Sequence, residues 1–390
     1  MIYDIIEKNK SKTAIVVVGY NRVYGLKRLL DNLNKCHYPE DDIPLIISID
    51  ASGNEEIYDL VRGFEWFHGL KFVNIEEQRL GLKKHILQCG SLSQFYKAVI
   101  ILEDDLYVAP YFYDFAVKMV NYYGEDDNIS GISLYAPEIN DHVGVPFRPI
   151  KNNYDVYAWQ RVNTWGQIWT WNMWEPFIKW HNQWVEDFGD IDMPRRIKNF
   201  KRAWSKFYAA YSVLHQKFHI YPYHSLLTNF NDAGGEHTSG DVNTAQVAIL
   251  QYKKDYNCGA FDKLVKYDIY GQNLALPSWL NINSKDIVVD MYGLKEVYKG
   301  RYVLAPFKLP YKVIRSYGCR MRPIEINVKY GIDGNDMFLY DRESSETVIP
   351  PSRLLTYNFI SYNLQGFNAK YLMKYLPIFI MKYLKWKFTK

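Results

Sequence analysis

Short apolar segments alternate with longer amphipathic ones between Thr13 and about Tyr135. Four runs rich in β-branched residues have the length of strands: TAIVVVGY, IPLIISID, LKFVNI and AVIILED. The segments between them have helical spacing, as in Leu26, Leu29, Leu30 and Leu33. Continuous apolar strands separated by helices are typical of a parallel sheet that is covered on both faces. The pattern predicts a doubly wound α/β fold with a mostly parallel sheet.

Polar side chains follow three of the four predicted strands. They are Asn21 and Arg22 after the first strand, Asp50 after the second, and Glu103, Asp104 and Asp105 after the fourth. In open parallel sheets, ligands bind beyond the carboxyl ends of the strands. We therefore expect these side chains to meet at one rim of the sheet.

The three adjacent carboxylates, in VIILEDDLYVAP, require a positive partner, because like charges repel and are expensive to bury. Carboxylates at such a rim suit Mg²⁺ or Mn²⁺, which typically link one or two protein carboxylates to substrate phosphates. In the alternative, Asp104 or Asp105 only caps the next helix. Pro110, a favoured first-turn residue, comes several positions later, so neither aspartate is ideally placed for that role.

Two other classes of nucleotide-binding protein lack support in the same region. The segment GYNRVYG after the first strand is not GxGxxG, and no GxxxxGK[ST] occurs there. The sequence therefore argues against a dinucleotide-dependent oxidoreductase and against a P-loop ATPase.

Composition limits the number of domains, the partners and the cellular compartment that we expect for the protein. A chain of 390 residues predicts at least two domains, and a net charge of +4 does not favour nucleic acid as a partner. The four cysteines are far apart and form no CxxC pair, which is typical of reduced thiols in a cytosolic protein. The N-terminus is a poor secretory signal, and no apolar run is long enough to span a bilayer. We expect a cytoplasmic protein, free or attached to a membrane surface.

The composition and the apolar pattern change after the first third of the chain. Seven tryptophans fall between 154 and 184, and the pairs 165/169 and 180/184 have the i, i+4 spacing of a helix that buries one face. From about Leu264 the pattern is irregular and rich in tyrosine. We divide the chain into a domain at 1–260, a less regular region at 261–366 and a tail at 367–390.

The segments AIVVVGYNR, PLIISIDASG and VIILEDDLYVAPYFYDF resemble the donor-binding half of GT-A glycosyltransferases. The likeness is greatest to the N-acetylglucosaminyltransferases with a Glu-Asp-Asp motif and to related bacterial polysaccharide transferases. It extends through NTWGQIWTW to about residue 240. The resemblance implies a GT-A fold, a nucleotide-sugar donor such as UDP-sugar, Mn²⁺ or Mg²⁺, and inverting transfer to a glycan or lipid-linked saccharide in surface polysaccharide biosynthesis.

The resemblance also implies roles for the residues at the rim. Asp105 matches the metal ligand, and Glu103 with Asp104 matches the contacts to the nucleoside and sugar. Arg22 matches an arginine near the nucleotide, and Asp50 matches the acid that contacts uracil. The alternatives are a surface charge for Arg22 and a turn-forming acid for Asp50.

Two histidines are further candidates. His85 lies where the family often places a residue that contacts the donor, although a single histidine at a helix start is more often structural. His237, in GGEHTSG, is a candidate second metal ligand or diphosphate contact, because histidine suits Mn²⁺ and the glycines permit close approach. We also expect one or two of the tryptophans to line the acceptor cleft and the rest to lie in the core.

The expected catalytic base is missing from its usual position. Relatives tend to carry an acid just before the tryptophan that matches Trp204, but this chain has KRA there. The upstream segment WVEDFGDIDM offers four acids instead: Glu186, Asp187, Asp190 and Asp192. We take Asp190 as the first candidate for the base and Asp192 as the second. Without a base, the alternative is a catalytically weak carbohydrate-binding or scaffold protein.

The tail contains six lysines, no acid and many large apolar residues, in KYLMKYLPIFIMKYLKWKFTK. This composition is typical of a segment that contacts an anionic membrane peripherally. The alternative is a terminal helix packed on its own domain with the lysines outward.

Overall fold

The structure, a computed structural model, describes residues 10–184, 187–201, 203–232, 246–344 and 352–363, together with positions 376, 377, 380, 381 and 384. The chain divides into two compact units, Met1–Leu276 and Pro277–Lys390. The first boundary predicted from the sequence lies earlier, at 260.

The first unit is built around a sheet of nine strands. The strands of this unit are β1 (Thr13–Gly19), β2 (Leu45–Ile49), β3 (Lys71–Ile75), β4 (Ala98–Glu103), β5 (Leu106–Val108), β6 (Ile129–Ser133), β7 (Ile139–Asn140), β8 (Val145–Pro146), β9 (Val156–Trp159), β10 (Gln167–Trp169), β11 (Phe218–Pro222), β12 (Leu227–Asn229) and β13 (Lys266–Tyr267). The order in the large sheet is β13-β9-β11-β6-β10-β4-β1-β2-β3. The remaining strands form two small antiparallel pairs, β5 with β12 and β7 with β8.

Most neighbours in the large sheet run parallel, which confirms the predicted fold class. The ladders β3-β2-β1-β4, β6-β11 and β9-β13 are parallel. Strand β10 is antiparallel to both β4 and β6, and β9 is antiparallel to β11. Each of the four predicted strands is present, as β1 to β4. The carboxyl ends of β1, β2, β3 and β4 therefore meet at one edge.

The helices of the first unit are α1 (Val23–Leu33), α2 (Glu55–Gly63), α3 (Leu82–Gly90), α4 (Phe112–Tyr123), α5 (Trp171–Gln183), α6 (Arg195–Lys198) and α7 (Trp204–Leu214). Single 3₁₀ turns occupy Ser91–Gln94 and Phe261–Lys263. The four leucines that predicted α1 are all fully buried. Strand β1 is buried at every position, whereas β3, at the edge of the sheet, alternates between half-buried and exposed positions. Two of the five side chains of β3 are exposed, as expected for an edge strand. The predicted burial on both faces holds for the inner strands of the first third of the chain.

The tryptophans show where the helical interpretation was wrong. Trp169 lies in β10, which hydrogen-bonds to strands on both sides, so the spacing of Trp165 and Trp169 does not mark a helix. Trp180 lies in the last turn of α5, whereas Trp184 directly follows the helix with an extended backbone; their rings lie 4.7 Å apart. Trp159, Trp169 and Trp174 are fully buried, while the other four are half-buried. The conformation at Trp169 is therefore set by strand pairing in the central sheet and not by the i, i+4 spacing.

The second unit, predicted to be less regular, contains a sheet of four short strands. Its strands are β14 (Ile287–Val289), β15 (Tyr302–Ala305), β16 (Phe307–Lys308), β17 (Lys312–Tyr317), β18 (Met337–Asp341) and β19 (Ser352–Leu355), and its helices are α9 (Ile326–Lys329) and α10 (Tyr357–Asn363), after α8 (Leu276–Trp279) at the boundary. The sheet order is β14-β15-β18-β17, and β16 pairs with β19. Its core contains Phe307 and Tyr340, whose hydroxyl donates to the carbonyl oxygen of Phe307 at 2.8 Å.

Among the described residues, no helix is both long and apolar enough to cross a membrane.

Candidate active site

The carboxylates at the end of β4 have a positive partner within the chain. Arg22, in the short loop between β1 and α1, donates from Nη1 to Oδ2 of Asp105 at 2.9 Å and from Nη2 to Oδ1 of Asp104. The Arg22 side chain is only 17% exposed. It is therefore not a simple surface charge, and its guanidinium offsets part of the charge that the two aspartates concentrate at this rim.

Burial acts on the protonation of the remaining carboxyl groups. It raises the pKa of Asp104 to about 6, although Arg22 opposes this shift. Burial, reinforced by the charges of Asp105 and Asp104, raises the pKa of Glu103 to about 8. Both shifts favour the protonated forms of Glu103 and Asp104 when no cation is bound. A divalent cation at this rim favours the ionised forms of nearby carboxyl groups.

Asp105 fits the role of a metal ligand. The residue is buried, and its Oδ1 makes no hydrogen bond with any described residue. A buried oxygen without a partner is costly, so it calls for a cation or a donor from outside. Within the described part of the chain, no three His, Cys, Asp or Glu side chains form a ready metal cluster. One or two carboxylates are sufficient for Mg²⁺ or Mn²⁺ when substrate phosphates complete the coordination.

The capping alternative for the aspartates does not hold. Asp104 and Asp105 are followed by strand β5, and α4 begins only at Phe112, with Tyr111 as the preceding residue. Neither carboxylate is thus placed to accept hydrogen bonds from the first turn of that helix.

Asp50 organises the neighbouring part of the rim. Its Oδ1 accepts from the amides of Ala51 at 2.9 Å and Leu80 at 2.7 Å, and its Oδ2 accepts from Gly81 at 2.9 Å. This buried carboxylate ties the end of β2 to the loop that precedes α3. It does more than form a local turn, and its proposed contact with uracil stays a prediction.

The structure adds two residues to the rim that were not predicted from the sequence, Arg79 and Tyr20. Arg79 lies with its guanidinium carbon 4.8 Å from the ring centre of Tyr20, so a residue after β3 meets one after β1. The residues predicted to meet at the rim follow β1, β2 and β4, but not β3. The same rule about strand ends applied to LKFVNI and the loop after it would have found Arg79.

A second ion pair braces the acidic rim from the side of α1. Arg28 binds both carboxylate oxygens of Asp232, with Nη1 to Oδ1 at 3.1 Å, and its guanidinium covers the ring of Phe230 at 3.7 Å. The amide of Phe230 donates to the carbonyl oxygen of Asp105 at 2.9 Å. A Cβ on Gly25 would lie 2.6 Å from the carbonyl oxygen of Asp104. The segment after β12 and the start of α1 are therefore packed directly on the acidic residues.

The two candidate histidines have different outcomes. His85 is buried, its Nε2 lies 2.7 Å from the hydroxyl of Ser48, and burial lowers its pKa. This contact gives the ring a structural partner, and its role toward the donor stays a prediction. His237 lies outside the described residues.

Three of the candidate bases, Asp187, Asp190 and Asp192, are exposed residues of the segment before α6. Asp187 accepts from the amide of Gly189 at 2.9 Å, and Asp192 accepts from the hydroxyl of Tyr270 at 2.8 Å. Asp190 has no hydrogen-bond partner among the described residues, and Glu186 lies outside them. No hydrogen bond or ion pair between described side chains links these acids to Glu103, Asp104 or Asp105. The choice among them stays a prediction.

Trp165 is the tryptophan at the rim. It precedes β10, whose first residue, Gln167, pairs with Ile101 of β4. Since β10 is antiparallel to β4, Trp165 is at the edge where β4 ends. The half-buried indole meets the ring of Tyr135 edge-on, with centres 5.0 Å apart.

No family model and no curated protein matches the chain. Many solved structures are similar to it, and three of them are TarS, GalNAc-T7 and PcManGT. TarS 1–349 of S. aureus is 14% identical over 57% of this chain and 61% of its own, with a TM-score of 0.36. GalNAc-T7, solved with UDP, GalNAc and Mn²⁺, is 15% identical over 55% and 43%, with a TM-score of 0.40. The mannosyltransferase PcManGT of Pyrobaculum calidifontis, solved with GDP-Man and Mn²⁺, is 14% identical over 43% and 46%, with a TM-score of 0.32.

These similar structures are glycosyltransferases, the class to which the sequence resemblance pointed. The match spans less than two thirds of each of them. With identities of 14–15% and TM-scores of 0.32–0.40, the likeness by itself assigns neither a fold nor an activity to this chain.

Proposed function

We propose that the protein is a metal-dependent glycosyltransferase that moves a sugar from a nucleotide donor, UDP-sugar, to a glycan or lipid-linked saccharide with inversion. Surface polysaccharide biosynthesis is the proposed setting. The observation that supports the proposal best is the unpartnered Oδ1 of Asp105, buried beside Asp104 and Arg22 at the carboxyl edge of a parallel sheet. That combination suits a divalent cation bound together with a diphosphate.

In this proposal, Asp105 holds Mn²⁺ or Mg²⁺, with His237 as a candidate second ligand. The bound metal supplies positive charge that stabilises the departing diphosphate. Arg22 keeps Asp104 and Asp105 in place and adds positive charge near the phosphates. Glu103 and Asp104 orient the nucleoside and sugar, Asp50 receives the uracil, and His85 supports the same region.

On the acceptor side, an inverting transfer needs a carboxylate that takes the proton of the attacking hydroxyl. Asp190 is our first candidate, because it is exposed and unpartnered within the described chain, whereas Asp192 and Asp187 already accept hydrogen bonds. Trp165, half-buried at the rim, offers an indole on which a sugar ring stacks.

The test is calorimetric titration of UDP in the presence of Mn²⁺. Asp105→Asn keeps the size of the side chain but removes its charge, so we expect UDP affinity to fall at least tenfold, or about 1.4 kcal/mol. Asp31→Asn is the matched control, because Asp31 is an acid on α1 whose side chain is 46% exposed and pairs only with Lys27 among the described residues. Equal affinity in wild type and Asp105→Asn would remove the metal assignment.

A further inference from the structure

A loop of the second unit presents two arginines to a polar cavity. The loop spans 319–323, and the cavity has a volume of about 370 Å³. Its lining includes Arg320, Arg322, Asp336, Asn358, Ser361 and Tyr362. All of these residues lie in the second unit, away in sequence from every residue of the candidate active site.

The backbone of this loop is held in one shape by a buried asparagine. Asn327 is fully buried, and its Oδ1 accepts from the amides of Arg320 and Met321, both at 2.8 Å. Its Nδ2 donates to the carbonyl oxygens of Met321 at 2.9 Å and Ile324 at 2.8 Å. All four hydrogen bonds of this side chain go to the loop or to the residue just after it, so the loop has a fixed shape before any ligand binds.

The acid in the cavity is already engaged. Asp336 is buried, its Oδ2 accepts from the amide of Cys319 at 2.9 Å, and its Oδ1 accepts from Nδ2 of Asn358, also at 2.9 Å. The guanidinium of Arg320 forms no hydrogen bond or ion pair with any described residue. The cavity therefore keeps a positive charge that Asp336 does not pair with directly.

Arg322 is fixed in position by its neighbour on α10. Its Nη2 donates to the carbonyl oxygen of Tyr362 at 2.6 Å, and its guanidinium lies 4.0 Å from the ring centre of Tyr362. The hydroxyl of Tyr362 in turn donates to the carbonyl oxygen of Met321 at 2.7 Å. Stacking and hydrogen bonding together limit the motion of this arginine, which lowers the entropy lost when it binds an anion.

We propose that this cavity binds a phosphate group, carried either by a soluble phosphate ester or by the headgroup of an anionic lipid. The planar guanidinium fork matches phosphate oxygens, and two such groups at alternate positions of one rigid loop provide the charge that a phosphate needs. The volume is in the range of small-ligand sites. None of the residues that line the cavity belongs to the proposed donor site.

The test is calorimetric titration of the full-length protein with inorganic phosphate and with glycerol phosphate, in buffer that contains EDTA. Without metal, the proposed donor site does not capture phosphate through a cation. Arg320→Gln and Arg322→Gln are each expected to weaken binding by about tenfold. Arg315→Gln is the control, because Arg315 is an exposed arginine of the same unit that lies over Tyr317 and outside the cavity. Thermal unfolding of each variant checks its fold, and Arg320→Lys is expected to restore part of the affinity.

A second arm measures flotation of the same variants with phosphatidylglycerol vesicles. Flotation that falls in both arginine variants, but not in Arg315→Gln, identifies a lipid headgroup as the source of the phosphate. Binding of the soluble phosphates alone that falls in the same variants identifies a soluble ester. The proposal is overturned if neither probe binds, or if binding is the same in wild type, Arg320→Gln and Arg322→Gln.

Discussion

At the scale of single residues, Arg22 and Asp105 define the candidate site. One oxygen of Asp105 is bound by Arg22, and the other has no hydrogen-bond partner in the described chain. The sequence predicted that the acidic residues need a positive partner. Arg22 supplies one positive charge within the chain, and the proposed metal ion would supply the other. The position of the acids at the ends of strands could be predicted, because the apolar runs that form the strands are visible in the sequence. The sequence could not show which carboxylate oxygen stays unpaired, because that depends on side-chain geometry.

The catalytic base is a prediction at this scale. If Asp190 accepts the proton of the acceptor, Asp190→Asn keeps UDP and Mn²⁺ affinity and lowers single-turnover rates by about two to four powers of ten. Asp192→Asn and Asp187→Asn are the matched controls from the same segment and are expected to be nearly silent. A slow Asp192→Asn with an active Asp190→Asn would exchange the two roles.

A buried histidine predicts a dependence of stability on pH. Burial lowers the pKa of His219 to about 3, from 6.5 for an exposed ring. Between these values the unfolded chain binds a proton that the folded chain does not, so stability falls as the pH falls below about 6.5. Well below pH 6.5 this residue contributes a slope that approaches the limit for one proton, about 1.4 kcal/mol per pH unit. Urea unfolding at pH 7, 6 and 5 is expected to show that slope reduced in His219→Phe. An unchanged slope would mean that His219 is protonated in the folded protein.

At the scale of elements, the strands of the first third were the most predictable part of the fold. Their short length and their β-branched residues favour strands over segments of buried helix. Strand β10 was not predicted, because its three residues carry two-sided pairing that no local pattern records. The strand-end rule would have placed Arg79 at the rim, but it does not show that the guanidinium lies over the ring of Tyr20, because that depends on side-chain geometry.

The packing of α3 on α5 gives an element-scale prediction. A Cβ on Gly90, the last residue of α3, would lie 2.5 Å from Cη2 and 2.6 Å from Cε2 of Trp174. Gly90→Ala must displace this buried indole, so we expect the free energy of unfolding to fall by about 1–3 kcal/mol. Gly63→Ala is the matched control, because Gly63 ends α2 and a Cβ there meets nothing within 4 Å. Urea unfolding compares the two, and equal stabilities would show that the indole moves freely.

At the scale of the whole molecule, the chain combines a unit that carries the proposed donor site with a second unit that carries the proposed phosphate site. The sequence indicated a second region but not its sheet, because strands of two to six residues with mixed polarity have weak patterns. The low net charge left nucleic acid without support as a partner.

The basic tail gives a prediction at this scale. We propose that residues 367–390 attach the protein peripherally to the inner face of the cell membrane, because six lysines and many large apolar side chains favour an anionic surface. Removing the residues after Gly366 is expected to release the protein from anionic vesicles in a flotation assay and to leave UDP binding unchanged. Equal flotation of the two forms would refute a role for the tail.

The central claim is a metal-dependent transfer from a nucleotide sugar, and release of UDP from a panel of UDP-sugars tests it most directly. With an acceptor extract present, we predict UDP release by the wild-type protein with Mn²⁺, none after EDTA, and at most a few per cent of the wild-type rate in Asp105→Asn. UDP release that persists after EDTA and in Asp105→Asn would contradict the metal mechanism. Metal-dependent donor binding without any release would instead favour a carbohydrate-binding protein that keeps the fold but lacks the base.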